Sequence, residues 1–153
     1  MLQYYSFEEF YSDIKDFSKK IKESYEPDAI VAIARGGMTF GHFLAESYKM
    51  RELYSLNSVH YDETTKLSTV NVYNIPDLSN LKSILIAEDI IDSGKSMVEI
   101  LRVLREKFPH LKIKVAALFY KEKAIYKPDF YQHIAKTWID FFWDFENSNP
   151  KRL

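Results

Sequence analysis

The stretch SILIAEDIIDSGKS, residues 83–96, decides the fold. It opens on an unbroken apolar run, 83–87, which reads as a strand buried on both faces. Glu88-Asp89 follow, then Ile90-Ile91, then Asp92-Ser93-Gly94-Lys95-Ser96. From 96 to 107, Met97, Ile100, Leu101 and Leu104 recur at helical spacing, and Pro109 closes the segment. The order is therefore strand, acidic turn, helix. In an α/β sheet, ligands bind beyond the carboxyl ends of the strands, so this turn lies where a site should lie.

The turn has its own chemistry. Backbone N–H groups at the start of a helix converge on one point, and the helix dipole favours an anion there. Gly94 allows a positive φ and a close backbone approach. Ser93 and Ser96 add hydroxyls and Lys95 adds charge, which makes a phosphate cradle. Three carboxylates beside it, Glu88, Asp89 and Asp92, would repel the ligand unless compensated. Mg²⁺ and a sugar whose hydroxyls donate to carboxylates are the natural compensations. The turn thus asks for a sugar phosphate with Mg²⁺. It is neither a P-loop nor a dinucleotide-binding fingerprint: Asp89 stands where the former needs glycine, and no G-x-G-x-x-G is present. The plainer alternative is an Asp92 or Ser93 helix cap in a solvated acidic loop.

Working outward, a second apolar run at 29–34, AIVAIA, leads into Arg35-Gly36-Gly37. Two glycines permit a tight turn whose freed N–H groups bind an anion, and Arg35 brings a fork of donors. Gly41 reads as a helix-packing glycine. Residues 38–50 have helical composition. Residues 56–61 and 70–75 read as two strands of a hairpin around the polar tip 62–67. A third core strand covers 113–119. A short helix is expected over 129–135 and a last strand over 137–143. At the start, Ser6 and Glu9 form a capping-box pattern ahead of a helix over 7–24. Strands alternate with helices and are apolar rather than alternating. The fold class is α/β, with a mainly parallel central sheet flanked by helices, and residues 1–153 read as a single domain.

Composition narrows the function. Of 153 residues, 46% are hydrophobic and 28% charged, a globular balance. The net charge of −1 gives no field for nucleic acid or an anionic membrane. Cysteine is absent, which excludes disulfides, thiolate metal sites and cysteine nucleophiles and fits a reducing compartment. The N-terminus lacks a signal-peptide pattern. Apolar runs stop at about six residues against the roughly 20 that span a bilayer. A cytoplasmic location is expected, without nucleic-acid or membrane partners.

The segment 84–96 resembles the signature of the type I phosphoribosyltransferases: four apolar residues, two acidic, two apolar, then Asp, Ser or Thr, Gly, any residue, and Ser or Thr. The resemblance implies that Glu88 and Asp89 hold the ribose hydroxyls of phosphoribosyl pyrophosphate (PRPP), with Asp89 near Mg²⁺. Residues 92–96 would hold the 5′-phosphate. Arg35, Gly36 and Gly37 would form the pyrophosphate loop. The hairpin would be the loop that closes over the site, with Lys66 reaching the pyrophosphate. His60-Tyr61 stands where purine members often have Ser-Tyr.

Toward the C-terminus the likeness is to the 6-oxopurine branch, that of bacterial xanthine–guanine and hypoxanthine enzymes. It implies that Lys121 binds O6 of the base, with Lys123 as competitor. Trp138 would stack on the purine, the Ile139 carbonyl would meet the 2-position, and Asp144 would help bind a second Mg²⁺. Phe141-Phe142 stands where that branch has Gln-Pro. A small C-terminal hood and a homo-oligomer, dimer or tetramer, are expected. The implied activity is transfer of the phosphoribosyl group from PRPP to guanine, xanthine or hypoxanthine. Asp92 would face N7, and Glu88 and Asp89 would stabilise the cation-like C1′. The alternatives are a non-catalytic sensor of PRPP or purine, and an enzyme with another acceptor base.

Overall fold

The two apolar runs lie side by side. In the computed structural model, which describes residues 2–61 and 69–145, they form β2 (Ala29–Ala34) and β5 (Ser83–Ile91). The remaining elements are β1 (Leu2–Tyr5), α1 (Phe7–Lys22), α2 (Gly37–Tyr48), β3 (Leu53–Tyr61), β4 (Thr69–Tyr73), α3 (Lys95–Lys107), β6 (Lys112–Tyr120), β7 (Phe130–Ile134) and β8 (Trp138–Phe141). Six strands form one sheet in the order β4-β3-β2-β5-β6-β7. Among the described residues of this sheet, β3 and β4 pair antiparallel and the other pairs are parallel.

This order contains a reversal. From β2 the chain crosses through α2 to β3 on one side, whereas β5 lies on the other side and leads through α3 to β6. Right-handed crossovers running in opposite directions put their helices on opposite faces. The core divides accordingly. Ile30 and Leu85 face α1 and α2, where Phe10, Phe17, Phe40 and Leu44 are buried. Val31, Ile84 and Ile86 face α3, where Ile100, Leu101 and Leu104 are buried. The Phe17 and Phe40 rings stack at 5.5 Å and lock α1 onto α2. The crevice at the reversal is open at the carboxyl ends of β2 and β5, so the sheet itself creates the site.

Several expectations need correction. The segment expected as a helix over 129–135 is β7, paired in parallel with β6 from Ala116↔Phe130 to Tyr120↔Ile134. The free edge of β6 offers a row of backbone partners, and the aromatic and branched Phe130, Tyr131 and Ile134 suit a strand. Asp129 accepts a hydrogen bond from the Val115 amide at 2.8 Å, which pins the entry to that edge. The C-terminal strand is β8, outside the main sheet. It pairs in parallel with β1, an element the sequence pattern did not mark. Strand β5 runs past residue 87 to Ile91, so Glu88 and Asp89 lie on its last stretch rather than in a turn. Residues 62–68, which include Lys66, lie outside the described residues. Among the described residues no helix is long and apolar enough to cross a membrane.

Candidate active site

The two glycine turns follow the neighbouring parallel strands β2 and β5 at the reversal. Gly36 ends the turn after β2, and the Ala34–Arg35 peptide there is cis. Gly36 has a right-handed backbone, φ −56°, so conformational freedom is not why glycine is needed. The reason is proximity: a Cβ on Gly36 would collide with the Asp89 carboxylate, and one on Gly37 with the Ala87 carbonyl. The turn after β2 is pressed onto the acidic end of β5. Gly41 lies one helical turn on, where a Cβ would sit 2.7 Å from Ala32 Cβ, as the packing role expects.

Gly94 does need its freedom. Its φ is +83°, and a Cβ would lie 2.8 Å from the Tyr126 amide nitrogen. It is the N-cap of α3 and brings no side chain to cap it. Gly36 does the same for α2. By contrast α1, whose start lies elsewhere, has a complete capping box between Ser6 and Glu9. The two helices that begin at the crevice have glycine N-caps that bring no side chain of their own. At α3 the Lys95 amide donates to Ser93 Oγ at 3.3 Å, and the dipole of such a helix start favours an anion. Of the plainer alternative, an Asp92 or Ser93 cap, it is Ser93 that meets the start of α3, through its bond from the Lys95 amide. A cavity of about 130 Å³ at the start of α3 is lined by Glu88, Asp92, Ser93, Gly94 and Ser96 among others. The Lys95 side chain does not line it. It lines a separate depression with Val98 and Ile125.

Glu88 and Asp89 occupy the end of β5. The Asp89 amide donates to Glu88 Oε1 at 3.0 Å, and the Ile90 amide donates to Asp89 Oδ1 at 2.7 Å. Burial, followed by the neighbouring Asp89 charge, pushes the Glu88 carboxyl well above its ordinary range. Burial also raises Asp89, with the Asp144 charge adding to it against lowering hydrogen bonds. Such a pair gains from a cation or from hydroxyl donors.

The third part of the crevice is a cavity of about 240 Å³ lined by Asp89, Ile90, Asp92, Lys121, Trp138, Ile139, Phe141 and Asp144. Five of the residues singled out from the C-terminal half of the sequence thus share one space with Asp89. Lys121 Nζ lies 2.7 Å from Asp92 Oδ1. The ladder imposes this pairing: Ile91 is in register with Tyr120, and the Lys121 amide donates to the Ile91 carbonyl at 3.0 Å. Lys123 is exposed and absent from the lining, so the structure separates the two lysines. Trp138 is 60% exposed, a broad face left open beside the pocket. The Phe141 amide donates to Asp144 Oδ2 at 3.3 Å, which turns that carboxylate toward the site.

A larger cavity, about 710 Å³, shares Asp89, Trp138 and Asp144 with the previous one and adds Arg35, Gly36, Thr39, Trp143 and Phe145. Thr39, Ile90 and Trp143 were not singled out from the sequence, and Phe141 was marked only as a departure from the pattern of the 6-oxopurine branch. The only signal for Thr39 was a hydroxyl in the first turn of α2. Among the described residues no three His, Cys, Asp or Glu side chains are grouped closely enough to hold a metal ion by themselves. That fits Mg²⁺, which is commonly bound through one or two carboxylates and completed by substrate oxygens. Asp89 and Asp144 are the carboxylates facing the shared space.

Comparison with known proteins bears on the fold and the family. A model of the phosphoribosyl transferase domain matches residues 1–148. The structure superposes on the Helicobacter pylori xanthine-guanine-hypoxanthine phosphoribosyltransferase with a TM-score of 0.85 and 40% identity, covering 94% of each chain. A purine phosphoribosyltransferase from Pyrococcus horikoshii follows at 0.79 and 26%, again over 94% of each chain. By sequence, 31% identity over 98 residues links the chain to the hypoxanthine phosphoribosyltransferase of Buchnera aphidicola, over 62% of this chain and 55% of that protein. The Homo sapiens hypoxanthine-guanine phosphoribosyltransferase is 41% identical over 80 residues, 49% of this chain and 35% of that protein. The match thus spans about a third to half the length of these curated relatives. The chain belongs to the phosphoribosyl transferase domain family.

Proposed function

We propose that this chain is a purine salvage enzyme that transfers the 5-phosphoribosyl group of PRPP to a 6-oxopurine, yielding the nucleoside 5′-monophosphate and pyrophosphate. The observation that carries the reading is the Lys121–Asp92 pair at 2.7 Å inside a cavity walled by Trp138 and Ile139. A 6-oxopurine presents an acceptor, O6, beside a donor, N7–H, on one edge. A lysine beside a carboxylate is the complement of that edge. Lys121 donates to O6. Asp92 accepts the N7 proton as N9 forms its bond to C1′ and pyrophosphate departs. Trp138 offers its open face to the ring, and the Ile139 carbonyl reads the 2-position.

Glu88 and Asp89 hold the ribose hydroxyls and stabilise the cation-like C1′. The turn 92–96 takes the 5′-phosphate, chiefly through backbone amides at the start of α3. Arg35 and the amides of Gly36 and Gly37 take the pyrophosphate; Lys66, outside the described residues, is the further candidate for it. Asp89 and Asp144 would hold Mg²⁺ together with substrate oxygens, and the ion would neutralise charge on the leaving group. A cytoplasmic setting and a dimeric or tetrameric assembly belong to the same reading.

The test is to incubate the purified protein with PRPP and Mg²⁺ and with hypoxanthine, guanine, xanthine or adenine separately. Pyrophosphate and nucleotide are then measured. Nucleotide formation with at least one 6-oxopurine is expected. PRPP binding without turnover of any base would refute the reading.

A further inference from the structure

The hood that carries Trp138 and Ile139 is a small structure. It is a ribbon of two four-residue strands, β1 and β8, with Leu2↔Trp138, Gln3↔Ile139 and Tyr5↔Phe141 in register. A two-stranded ribbon is at best marginally stable by itself. What fixes β1 therefore fixes three residues of the cavity wall: Trp138, Ile139 and Phe141.

Asp13, on the helix the binding motifs do not use, is where the fixing occurs. Its Oδ2 accepts the Tyr5 hydroxyl at 2.6 Å and lies 2.5 Å from His133 Nε2, and its Oδ1 accepts from Gln132 Nε2 at 3.5 Å. One carboxylate thus ties β1, α1 and β7. Tyr5 is 2% exposed, with its ring edge-on to Phe119 and Phe141. Its carbonyl accepts from the Phe142 amide at 3.0 Å, just past β8. Burial, with the Asp13 hydrogen bond adding to it, lifts the Tyr5 hydroxyl above its ordinary range and keeps it a donor. At the other end, His133 pairs with Phe119 in the β6–β7 ladder, and β6 leads directly to Lys121. The connection runs from the Lys121 wall through His133, Asp13 and Tyr5 to the Trp138 wall.

The geometry points to Tyr5, Asp13 and His133 as positioning residues that set the spacing of the base pocket without touching the base. This rests on the purine-site reading. A hydrogen bond to a charged acceptor is stronger than a neutral one, and a shift of a fraction of an ångström in a pocket wall registers in affinity.

The test uses the full chain with Tyr5→Phe, which removes one hydroxyl and keeps the packed ring. The KM for the purine should rise about three- to tenfold while the KM for PRPP changes less than about twofold. His133→Ala, at a partly exposed edge, should act in the same direction and decides the matter should Tyr5→Phe fail to fold. His133→Gln keeps a donor toward Asp13 and should restore the wild-type ratio of the two KM values.

A second readout does not need turnover. The chain has two tryptophans, so Trp143→Phe leaves Trp138 as the sole reporter. Adding Tyr5→Phe to it should increase the local mobility of Trp138 in time-resolved fluorescence anisotropy. Unchanged purine KM and unchanged Trp138 mobility would overturn the proposal. So would a parallel rise in both KM values with a lowered melting temperature, the mark of a merely structural network. If the wild type turned over no base, the purine reading would fail while Trp138 mobility still decided whether the network positions the hood.

Discussion

Asp92 and Lys121 are half-open to solvent yet only 2.7 Å apart, so the pair is held by the ladder beneath it rather than by burial. Replacing Asp92 by Asn keeps the shape and removes the proton acceptor. Proton transfer by a positioned side chain contributes roughly 10²–10⁴-fold, so Asp92→Asn should lower kcat by about 10²-fold or more. Its melting temperature should stay near that of the wild type, because a partly exposed ion pair adds little to stability. Near-normal turnover would show that Asp92 is not the group facing N7. The same scale explains what the sequence left hidden. The Asp92-to-Ser96 spacing was legible because each residue acts beside its neighbour in the chain. The need for Gly36 was not, because its cause is Asp89, 53 positions away, and only the folded sheet brings the two together. Lys121 and Lys123 were likewise inseparable in sequence. The fold separates them: the Lys121 amide continues the ladder by donating to the Ile91 carbonyl, whereas Lys123 lies exposed beyond it.

At the scale of elements, helices with their own start signals were the easiest to read. The Ser6 hydroxyl accepts from the Glu9 amide at 3.1 Å, and Glu9 Oε2 accepts from the Ser6 amide at 2.9 Å. Ser6→Ala should cost about 1 kcal/mol, measurable as a lower urea midpoint at unchanged slope. Turnover should be retained, since the cap lies apart from the crevice. The apolar strands β2, β5 and β6 were also legible, because strands buried on both faces write continuous runs. Strands β1 and β7 were not, and β8 was read as a strand without its partner β1. They are four or five residues long, and their pairing partners are distant in sequence: Leu2 meets Trp138. A short segment with mixed polarity carries no period that separates strand from helix, and β7 was read as a helix for that reason. The hood that closes the base pocket is thus the least legible part of the site, although the residues it contributes were marked.

At the scale of the molecule, the reversal between β2 and β5 unites chemistry from both ends of the chain. It is held by a buried tie. The Tyr25 hydroxyl donates to the Ile84 carbonyl at 2.8 Å, and the Tyr48 hydroxyl donates to the Tyr25 carbonyl at 2.8 Å. Burial pushes both phenols up to about 12. A group whose folded pKa is raised favours the fold below its unfolded value and loses that contribution as pH climbs through the folded value. Stability should therefore hold up to about pH 10 and fall between pH 10 and 12, with Tyr25→Phe flattening part of that fall. Thermal melts across that range check it.

The central claim is that one pocket reads a 6-oxopurine through Lys121 and Asp92. The most direct measurement is kcat/KM for hypoxanthine and for adenine, in the wild type and in Lys121→Ala. A site built to donate to an oxygen rejects an analogue that lacks it, here by an expected factor of about 10² or more. That preference is expected in the wild type and should collapse in Lys121→Ala, through loss of hypoxanthine turnover. Comparable use of adenine by the wild type, or an unchanged preference in Lys121→Ala, would contradict it.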